Sequence, residues 1–320
     1  MKYIPLISVV IPVKNEAKKI EACIEGILSQ TIPVKEIIVI DSGSTDGTQQ
    51  LVNKYDKTRL IEIPGSEFNH GATRNLGVSQ ATGEYILFTV GDAKAVDIYW
   101  IENLLKGFTD DSVAAVCGQQ VVPHEKDKNP VDWFRPQSVP SIKKIRVEEP
   151  EAFEKMSPVD KKNVCGWDDV TALYKRSALL SVPFQRITYG EDGLWAKEAL
   201  KNGMAIVYNY NARVYHYHLE NAEFTFKRAF TTMYFRYTQF GFIPEKPESG
   251  FKWKLRTFKT IFKSVSPDMK AFMNWYRYNT NNLKAINKAY KLFMRSVAQG
   301  EEVLHAAHEK YCGKPPVPVK

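Results

Sequence analysis

The stretch Gly83-Glu84-Tyr85-Ile86-Leu87-Phe88-Thr89-Val90-Gly91-Asp92-Ala93 decides the fold that this sequence predicts. Residues 85–90 form a short apolar and β-branched run, which is typical of a strand buried on both faces of a parallel sheet. Asp92 follows that run, and ligands of open α/β sheets bind outside the carboxyl ends of the strands. The stretch therefore predicts either an acid that faces a ligand or an acid that caps the next turn.

Two further predicted strands end in the same way. Residues 6–11 form a buried strand followed by Asn15 and Glu16, and residues 36–40 form a strand followed by Asp41. Helical spacing of apolar residues follows each strand, and this alternation predicts an α/β fold with a doubly wound, mostly parallel sheet. Asn15 and Glu16 also suit a helix start, as a cap and as an acid that opposes the helix dipole.

The charge of the chain is uneven along its length. The 320 residues have a net charge of +8, but residues 219–320 contain 18 Lys/Arg and 8 Asp/Glu, which leaves residues 1–218 slightly acidic. We therefore predict a near-neutral catalytic or binding domain over residues 1–218. Residues 219–320 are predicted to form a basic, aromatic-rich helical C-terminal region.

Several classes of protein are excluded by what the sequence lacks. It has no run of about 18 apolar residues and no secretory signal at its start, so we predict a cytoplasmic protein. The dinucleotide turn Gly-x-Gly-x-x-Gly and the phosphate-binding loop Gly-x-x-x-x-Gly-Lys-Ser/Thr are absent. No nucleic-acid-binding motif is present either, so no nucleic acid partner is predicted.

Three other groups of residues are candidates for chemistry. Arg74 projects from the first turn of a predicted helix, where a positive charge costs a few tenths of a kcal/mol that an anionic ligand would offset. Glu191 and Asp192 open an amphipathic helix, which suits catalysis or simple dipole complementation. His216 and His218 fall on one face of a predicted strand, which suggests a metal or phosphate site.

The remaining predictions concern secondary structure. Residues 123–164 show little periodicity and predict a long irregular functional loop. Residues 173–180 predict a helix, and residues 205–207 and 213–218 predict two separate strands. Ser44 is predicted to cap the helix that follows Asp41.

Five motifs occur in a characteristic order. They are Ser8-Val9-Val10-Ile11-Pro12-x-x-Asn15-Glu16, Asp41-Ser42-Gly43-Ser44-Thr45-Asp46-Gly47-Thr48, His70-Gly71-x-x-Arg74-Asn75-x-Gly77, Gly91-Asp92-Ala93 and Glu191-Asp192. Together they resemble the family 2 glycosyltransferases, which have the GT-A fold, over residues 5–218. The resemblance implies that residues 1–218 form a nucleotide-sugar-binding and catalytic domain. The segment from Phe68 to Asn75 resembles the bacterial rhamnosyltransferase branch, which implies dTDP-rhamnose as the donor.

The resemblance also implies a role for each matching residue. Pro12, Glu16 and Asp41 would contact the base and ribose, Gly71 and Arg74 would lie near the ribose or diphosphate, and Asp192 would be the general base beside Glu191. Asp92 and His216 would bind a divalent cation, Mg²⁺ or Mn²⁺. Lys94, His218, Trp167 and Asp169 would contact the diphosphate or the acceptor. Many relatives carry Asp-x-Asp at the metal site, whereas this chain has Asp92-Ala93-Lys94, so its metal dependence stays open.

The function implied is an inverting glycosyltransferase of polysaccharide biosynthesis that moves a sugar from a nucleotide diphosphate sugar to a glycan or lipid-linked acceptor. The alternatives are a sugar nucleotidyltransferase and a non-catalytic carbohydrate- or membrane-binding protein. The aromatic and basic C-terminal region fits peripheral contact with the inner face of the cytoplasmic membrane. It fits equally a helical subdomain with a solvated basic face.

Overall fold

The computed structural model describes residues 5–313, which divide into two compact units. The first unit comprises residues 5–121 and 137–216, and the second comprises residues 122–136 and 217–313. The predicted functional division after residue 218 stays a prediction.

The first unit contains all the strands and the shorter helices of the described chain. The strands are β1 (Ile7–Val13), β2 (Glu36–Asp41), β3 (Thr58–Glu62), β4 (Tyr85–Phe88), β5 (Lys94–Ala95), β6 (Val113–Val121), β7 (Ile142–Ile145), β8 (Ala172–Lys175) and β9 (Ala205–Tyr215). The helices are α1 (Ile20–Leu28), α2 (Thr48–Val52), α3 (His70–Gln80), α4 (Trp100–Leu105), α5 (Pro150–Glu154), α6 (Pro158–Val164), α7 (Arg176–Ser181) and α8 (Glu191–Lys201).

Within residues 5–313 these nine strands form a single sheet of order β3-β2-β1-β4-β8-β6-β9-β5, with β7 paired to β9. The pairs β1–β2, β2–β3, β1–β4 and β6–β9 are parallel. Strand β8 runs antiparallel to both β4 and β6, and β5 and β7 run antiparallel to β9. The predicted α/β class with a mixed, mostly parallel sheet is therefore confirmed.

The register of the central strands brings their carboxyl ends to one edge. Val13 of β1 lies beside Asp41 at the end of β2, and Val10 lies beside Phe88 at the end of β4. The interior positions of β1 and β2 are fully buried, as expected of apolar strands covered on both faces. Asp41 is thus fixed at the edge of the sheet where ligands of open α/β sheets bind.

Two predictions of secondary structure were wrong. Residues 172–175 form a strand, and only residues 176–181 are helical. Periodicity could not separate these states, because a short apolar run fits a buried strand as well as a helix. Residues 205–215 form one strand, since a bulge over residues 209–212 interrupts its pairing with β6 without ending it.

Two more predictions need correction. Residues 123–164 contain a 3-10 turn at Asp132–Phe134 in addition to β7, α5 and α6. Ser44 does not cap a helix, because α2 begins at Thr48 after Gly47 and makes no side-chain cap bond. The Ser44 hydroxyl instead accepts a hydrogen bond from the Asn15 N–H at 2.8 Å.

The second unit is helical and has a core of its own. Its helices are α9 (Ala222–Phe240), α10 (Phe251–Val265), α11 (Met269–Gln299) and α12 (Glu301–Cys312). Phe230, Phe293 and Leu304 are fully buried together in that core. Asn129 and Asn279 exchange two hydrogen bonds of 3.0 and 2.8 Å, which attach residues 122–136 to α11. None of the helices described between residues 5 and 313 is long and apolar enough to cross a membrane.

Gly77 lets α3 approach β1 closely, and we predict that Gly77→Ala destabilises the protein. A Cβ at Gly77 would lie 2.3 Å from Val10 Cγ1 in the packed core. Overpacking of this kind lowers the free energy of unfolding by about 1–3 kcal/mol, which denaturant unfolding would measure.

The matched control is Gly26→Ala in α1. A Cβ there would meet its nearest atoms at 3.6 Å, an ordinary contact, and alanine is the better helix former. An equal loss of stability in both variants would show that packing of α3 on β1 is not the cause.

Candidate active site

Asp41 is a fully buried carboxylate at the end of β2. Its Oδ1 accepts a hydrogen bond from the Ser44 N–H at 2.7 Å. Its Oδ2 has no hydrogen-bond donor among residues 5–313. Since buried polar atoms are almost always hydrogen-bonded, this oxygen is suited to accept an N–H from a ligand.

The turn after β1 and the loop after β2 hold each other in place. Asn15 adopts a left-handed conformation, with φ of 56°, and its Oδ1 accepts a hydrogen bond from the Thr45 N–H at 2.8 Å. The Glu16 N–H donates to Thr48 Oγ1 at 2.8 Å. The polar residues of the Asp41–Thr48 motif therefore fix the loop beside Pro12 and Glu16, which the sequence assigned to nucleotide binding.

Asp92 and His216 meet at the end of the sheet. His216 Nε2 lies 3.4 Å from Asp92 Oδ1, and Lys19 Nζ lies 3.2 Å from Asp92 Oδ2. His216 directly follows β9, and Lys94 of β5 pairs with its neighbour Tyr215. Sequence reasoning assigned no role to Lys19, which is the N-cap residue of α1.

Gln120 fixes the orientation of His216, and sequence reasoning missed it. The amide of Gln120 donates from Nε2 to a carboxylate oxygen of Asp168, so its Oε1 is the atom that faces His216 Nδ1 at 2.6 Å. A carboxylate only accepts hydrogen bonds, which makes Nδ1–H the donor to Gln120. The Nε2 atom is then directed at Asp92.

This arrangement fits a divalent cation. His216 Nε2 faces an Asp92 oxygen at 3.4 Å, and with the proton on Nδ1 its lone pair can coordinate a metal ion. Asp92 and His216 each offer one ligand atom, and these two atoms lie close enough to bind the same cation. Metal-binding histidines commonly donate their other N–H to a protein oxygen, as His216 does to Gln120.

Arg74 is buried between two carboxylates. Its Nε lies 3.0 Å from Asp169 Oδ2, and its Nη1 donates to Glu191 Oε1. The guanidinium also lies over the rings of Phe88 and Phe184, at 5.8 and 6.0 Å from their centroids. Burial alone would lower the pKa of Arg74, but Asp169 and Glu191 raise it, so Arg74 stays charged.

Asp169 continues this network into the core. Burial raises the pKa of the Asp169 carboxyl to about 7, although Arg74 and a hydrogen bond from the Tyr174 hydroxyl act in the opposite direction. The Trp167 indole N–H donates to the same Tyr174 hydroxyl at 2.6 Å. Trp167 and Asp169 are both buried, and their predicted contact with the diphosphate or acceptor stays a prediction.

Hydrogen bonds join the N-terminal half of α3 to the segment that leads to α8. Asn75 exchanges two hydrogen bonds with the backbone of Phe184, at 2.9 and 3.0 Å. Asn69 caps α3 and donates to the Ile187 carbonyl at 2.7 Å. A Cβ at Gly71 would lie 2.2 Å from the Gln185 carbonyl oxygen, so only glycine fits there. The predicted nucleotide contacts of Gly71 and Arg74 stay predictions, whereas their contacts within the chain position Glu191.

Asp192 stands beside Glu191 in the first turn of α8. Burial raises the pKa of Asp192 well above its usual value, and the neighbouring Glu191 and Asp169 raise it further, while Arg74 lowers it. Its Oδ1 accepts a hydrogen bond from the Gly193 N–H at 2.7 Å. A carboxylate whose pKa is raised toward neutrality is suited to take up a proton.

Comparison with known proteins identifies the family. The family model "Glycosyl transferase family 2" matches residues 8–181. The chain is 34% identical over 229 residues to the O-antigen chain rhamnosyltransferase RfbN of Salmonella typhimurium, which covers 71% of each protein. The chain belongs to glycosyltransferase family 2. This glycosyltransferase is also 41% identical over 103 residues to the O-antigen chain rhamnosyltransferase WbaN of Salmonella anatum, covering 32% of each chain.

Solved structures show the same fold. S. aureus TarS, residues 1–349, superposes with a TM-score of 0.51 at 15% identity and covers 91% of each chain. The mannosyltransferase PcManGT from Pyrobaculum calidifontis superposes with a TM-score of 0.50 at 19% identity, over 95% of this chain and 79% of that one. The glycosyltransferase therefore has the predicted GT-A fold.

We predict that Arg74→Met lowers the free energy of unfolding by about 3–5 kcal/mol, because it leaves buried carboxylates without their counter-ion. The loss should be smaller at pH 5 than at pH 8. Asp169, whose pKa is about 7 in the presence of Arg74, is protonated and neutral at the lower pH. Denaturant unfolding at both pH values measures this difference.

The control is Arg59→Met, which removes an exposed arginine 3.7 Å from Glu36 and should cost less than about 1 kcal/mol. An Arg74→Met protein of unchanged stability that has lost only donor affinity would contradict the structural role and support direct binding of the diphosphate.

Proposed function

We propose that the protein is an inverting glycosyltransferase that transfers rhamnose from dTDP-rhamnose to a glycan or lipid-linked acceptor during polysaccharide biosynthesis. The observation that carries the reaction is the half-buried Asp192, whose pKa is raised by desolvation and by the neighbouring Glu191 and Asp169. The donor sugar is proposed because the relative matched over most of the chain is named a rhamnosyltransferase. We further propose that the reaction takes place in the cytoplasm.

The nucleotide base is proposed to bind at Asp41. Thymine and uracil present an N3–H donor, which the open Oδ2 of Asp41 can accept, whereas N3 of cytosine is an acceptor and would face that oxygen unfavourably. Pro12 and Glu16 lie in and after β1 beside the Asp41 loop, so we assign them to the base and ribose. Gly71 and Arg74 are proposed near the ribose and diphosphate.

The diphosphate is proposed to bind at Asp92. Asp92 and His216 would hold a divalent cation, and such a cation neutralises the charge of a leaving diphosphate. A mixed carboxylate and imidazole set suits Mn²⁺, which accepts both ligand types, better than Mg²⁺. Lys19 and Lys94 would add positive charge, since a lysine acts on phosphate as a point charge.

The proposed reaction is one displacement at the anomeric carbon. Asp192 removes the proton of the acceptor hydroxyl while the hydroxyl oxygen forms a bond to the anomeric carbon. The bond from that carbon to the diphosphate oxygen breaks, and the nucleoside diphosphate leaves with the electron pair. A single displacement inverts the configuration of the sugar. Arg74 holds the neighbouring Glu191 in place, which orients the first turn of α8.

The first prediction of this proposal concerns the metal. Asp92→Asn and His216→Gln should each weaken Mn²⁺ binding at least about tenfold, because each removes or weakens a ligand. Mn²⁺ binding is measured by titration calorimetry of the protein without donor, and sugar transfer is measured with and without EDTA.

The control variant is Asp56→Asn, which makes the same substitution at an exposed acid and should leave Mn²⁺ affinity unchanged. Undiminished sugar transfer in EDTA, together with no Mn²⁺ binding, would refute the metal site and leave the membership of the family intact.

The second prediction concerns the base. Asp192→Asn should lower kcat about 10²–10⁴-fold, the range typical of a lost general base, while dTDP affinity changes less than about threefold. In the unmodified protein the rate should fall as the pH is lowered, because Asp192 must be ionised to accept a proton. Its raised pKa places this fall at a higher pH than for an ordinary aspartate. Release of rhamnose from dTDP-rhamnose to water or to acceptor gives the rate.

Asp111→Asn, at an exposed aspartate, is the matched control. Retention of kcat in the Asp192 variant would remove the assignment of the base. Turnover of another nucleotide sugar but not of dTDP-rhamnose would refute only the donor.

A further inference from the structure

Helix α10 carries a row of large apolar side chains that face outward. Phe251, Leu255, Phe258 and Phe262 have relative exposures of 78%, 41%, 44% and 45%. We call these four residues the apolar strip. Large exposed apolar groups that are contiguous, rather than scattered singly, mark a surface for a partner or a membrane.

The geometry of the helix makes the strip continuous. Its members are spaced by four, three and four residues, so they lie on one side of α10. Thr257 and Ile261 lie on a different side and are buried. The outer part of the strip is therefore an apolar surface that the packing of α10 inside its own unit leaves exposed.

The start of α11 enlarges this surface. Met269 and Met273, one turn apart, have relative exposures of 56% and 60%. The Phe258 and Phe262 rings lie 4.9 and 6.1 Å from the ring of the buried Phe272 in α11. These ring contacts fix the strip against α11 while its outer edges remain exposed.

The surface around the strip is strongly basic. Residues 251–277 contain seven Lys/Arg and one acid, Asp268, whose carboxylate caps α11 by accepting the Ala271 N–H at 2.9 Å. One flank of the strip on α10 carries three lysines, Lys252, Lys259 and Lys263. Their helical spacing places them on that flank. Arg256 lies further round the helix and pairs with Glu248 at 2.6 Å.

We propose that the apolar strip and its flanking lysines bind the surface of an anionic lipid bilayer. A helix with large apolar residues on one side and lysines beside them lies in the interface, with its apolar side in the acyl boundary and its cations among the lipid phosphates. A second copy of the chain fits less well, because it would bring the same lysines against each other. The proposal does not depend on the identity of the donor or on the metal.

The test is sedimentation of the full chain with vesicles. The unmodified protein should sediment with vesicles that contain phosphatidylglycerol and not with vesicles of phosphatidylcholine alone. Binding should fall as salt is raised, because the attraction between the lysines and the lipid phosphates is screened.

Two double variants separate the apolar and the charged contributions. Phe251→Ser with Leu255→Ser removes half of the strip without touching the buried side of α10. Lys259→Glu with Lys263→Glu reverses the charge of the flank. Each pair should weaken binding to phosphatidylglycerol vesicles at least about tenfold, since each lysine near an anionic surface contributes measurably to binding.

Matched controls make the same changes elsewhere. Leu180→Ser alters another exposed leucine, and Lys284→Glu with Lys291→Glu reverses two exposed lysines further along α11; both should leave vesicle binding unchanged. Thermal unfolding checks that each variant is folded. Equal loss in strip and control variants, or no sedimentation with phosphatidylglycerol, would overturn the proposal. It would also be overturned if the strip variants changed the molar mass in light scattering without vesicles, which would identify a second copy as the partner.

Discussion

The ion pairs of Arg74 are the constraint on which the candidate active site depends. One buried guanidinium from α3 meets Asp169, ahead of β8, and Glu191, at the start of α8. Two carboxylates and one cation in a buried place are tolerated only when every partner is present. Three segments distant in sequence are therefore fixed relative to one another, and Asp192 takes its position and its raised pKa from that arrangement.

The other polar contacts of the site extend the same principle. Asp168, next to Asp169, accepts a hydrogen bond from Gln120, and Gln120 in turn orients His216 toward Asp92. Val13 pairs with Asp41, and it also packs closely against Gly91, where an added Cβ would lie 2.9 Å from Val13 Cγ1. A path of contacts through the first unit thus joins the acids at positions 41, 92 and 192. The supports of the site are thus buried strands and loops that are held by hydrogen bonds.

Much of the fold and of the candidate site could be predicted from the sequence, because the strands and the acids that follow them form local patterns. The buried strands β1, β2 and β4 are continuous apolar runs, and the acids that follow them are visible in any reading of the chain. The strand at residues 172–175 could not be recognised, because a run of four residues is too short to show a distinctive period and only the partners β4 and β6 decide its state. Gln120 and Lys19 were missed because their roles depend on contacts with residues that are distant in sequence, which no local pattern shows. Arg74 was seen, but its partners within the chain were not, since ion pairs across 95 and 117 residues leave no local pattern.

The bulge in β9 determines which way His216 points. Between Cys117 and Gln119 strand β6 advances by two residues, while β9 advances by five from Tyr208 to Arg213, so the bulge takes up three extra residues. Side chains alternate between the faces of a strand, and His216 faces Gln120 and Asp92 because pairing resumes with Arg213 opposite Gln119. A change that made pairing resume one residue earlier or later would direct His216 to the opposite face of the sheet, so a backbone irregularity decides whether Asp92 has a histidine beside it.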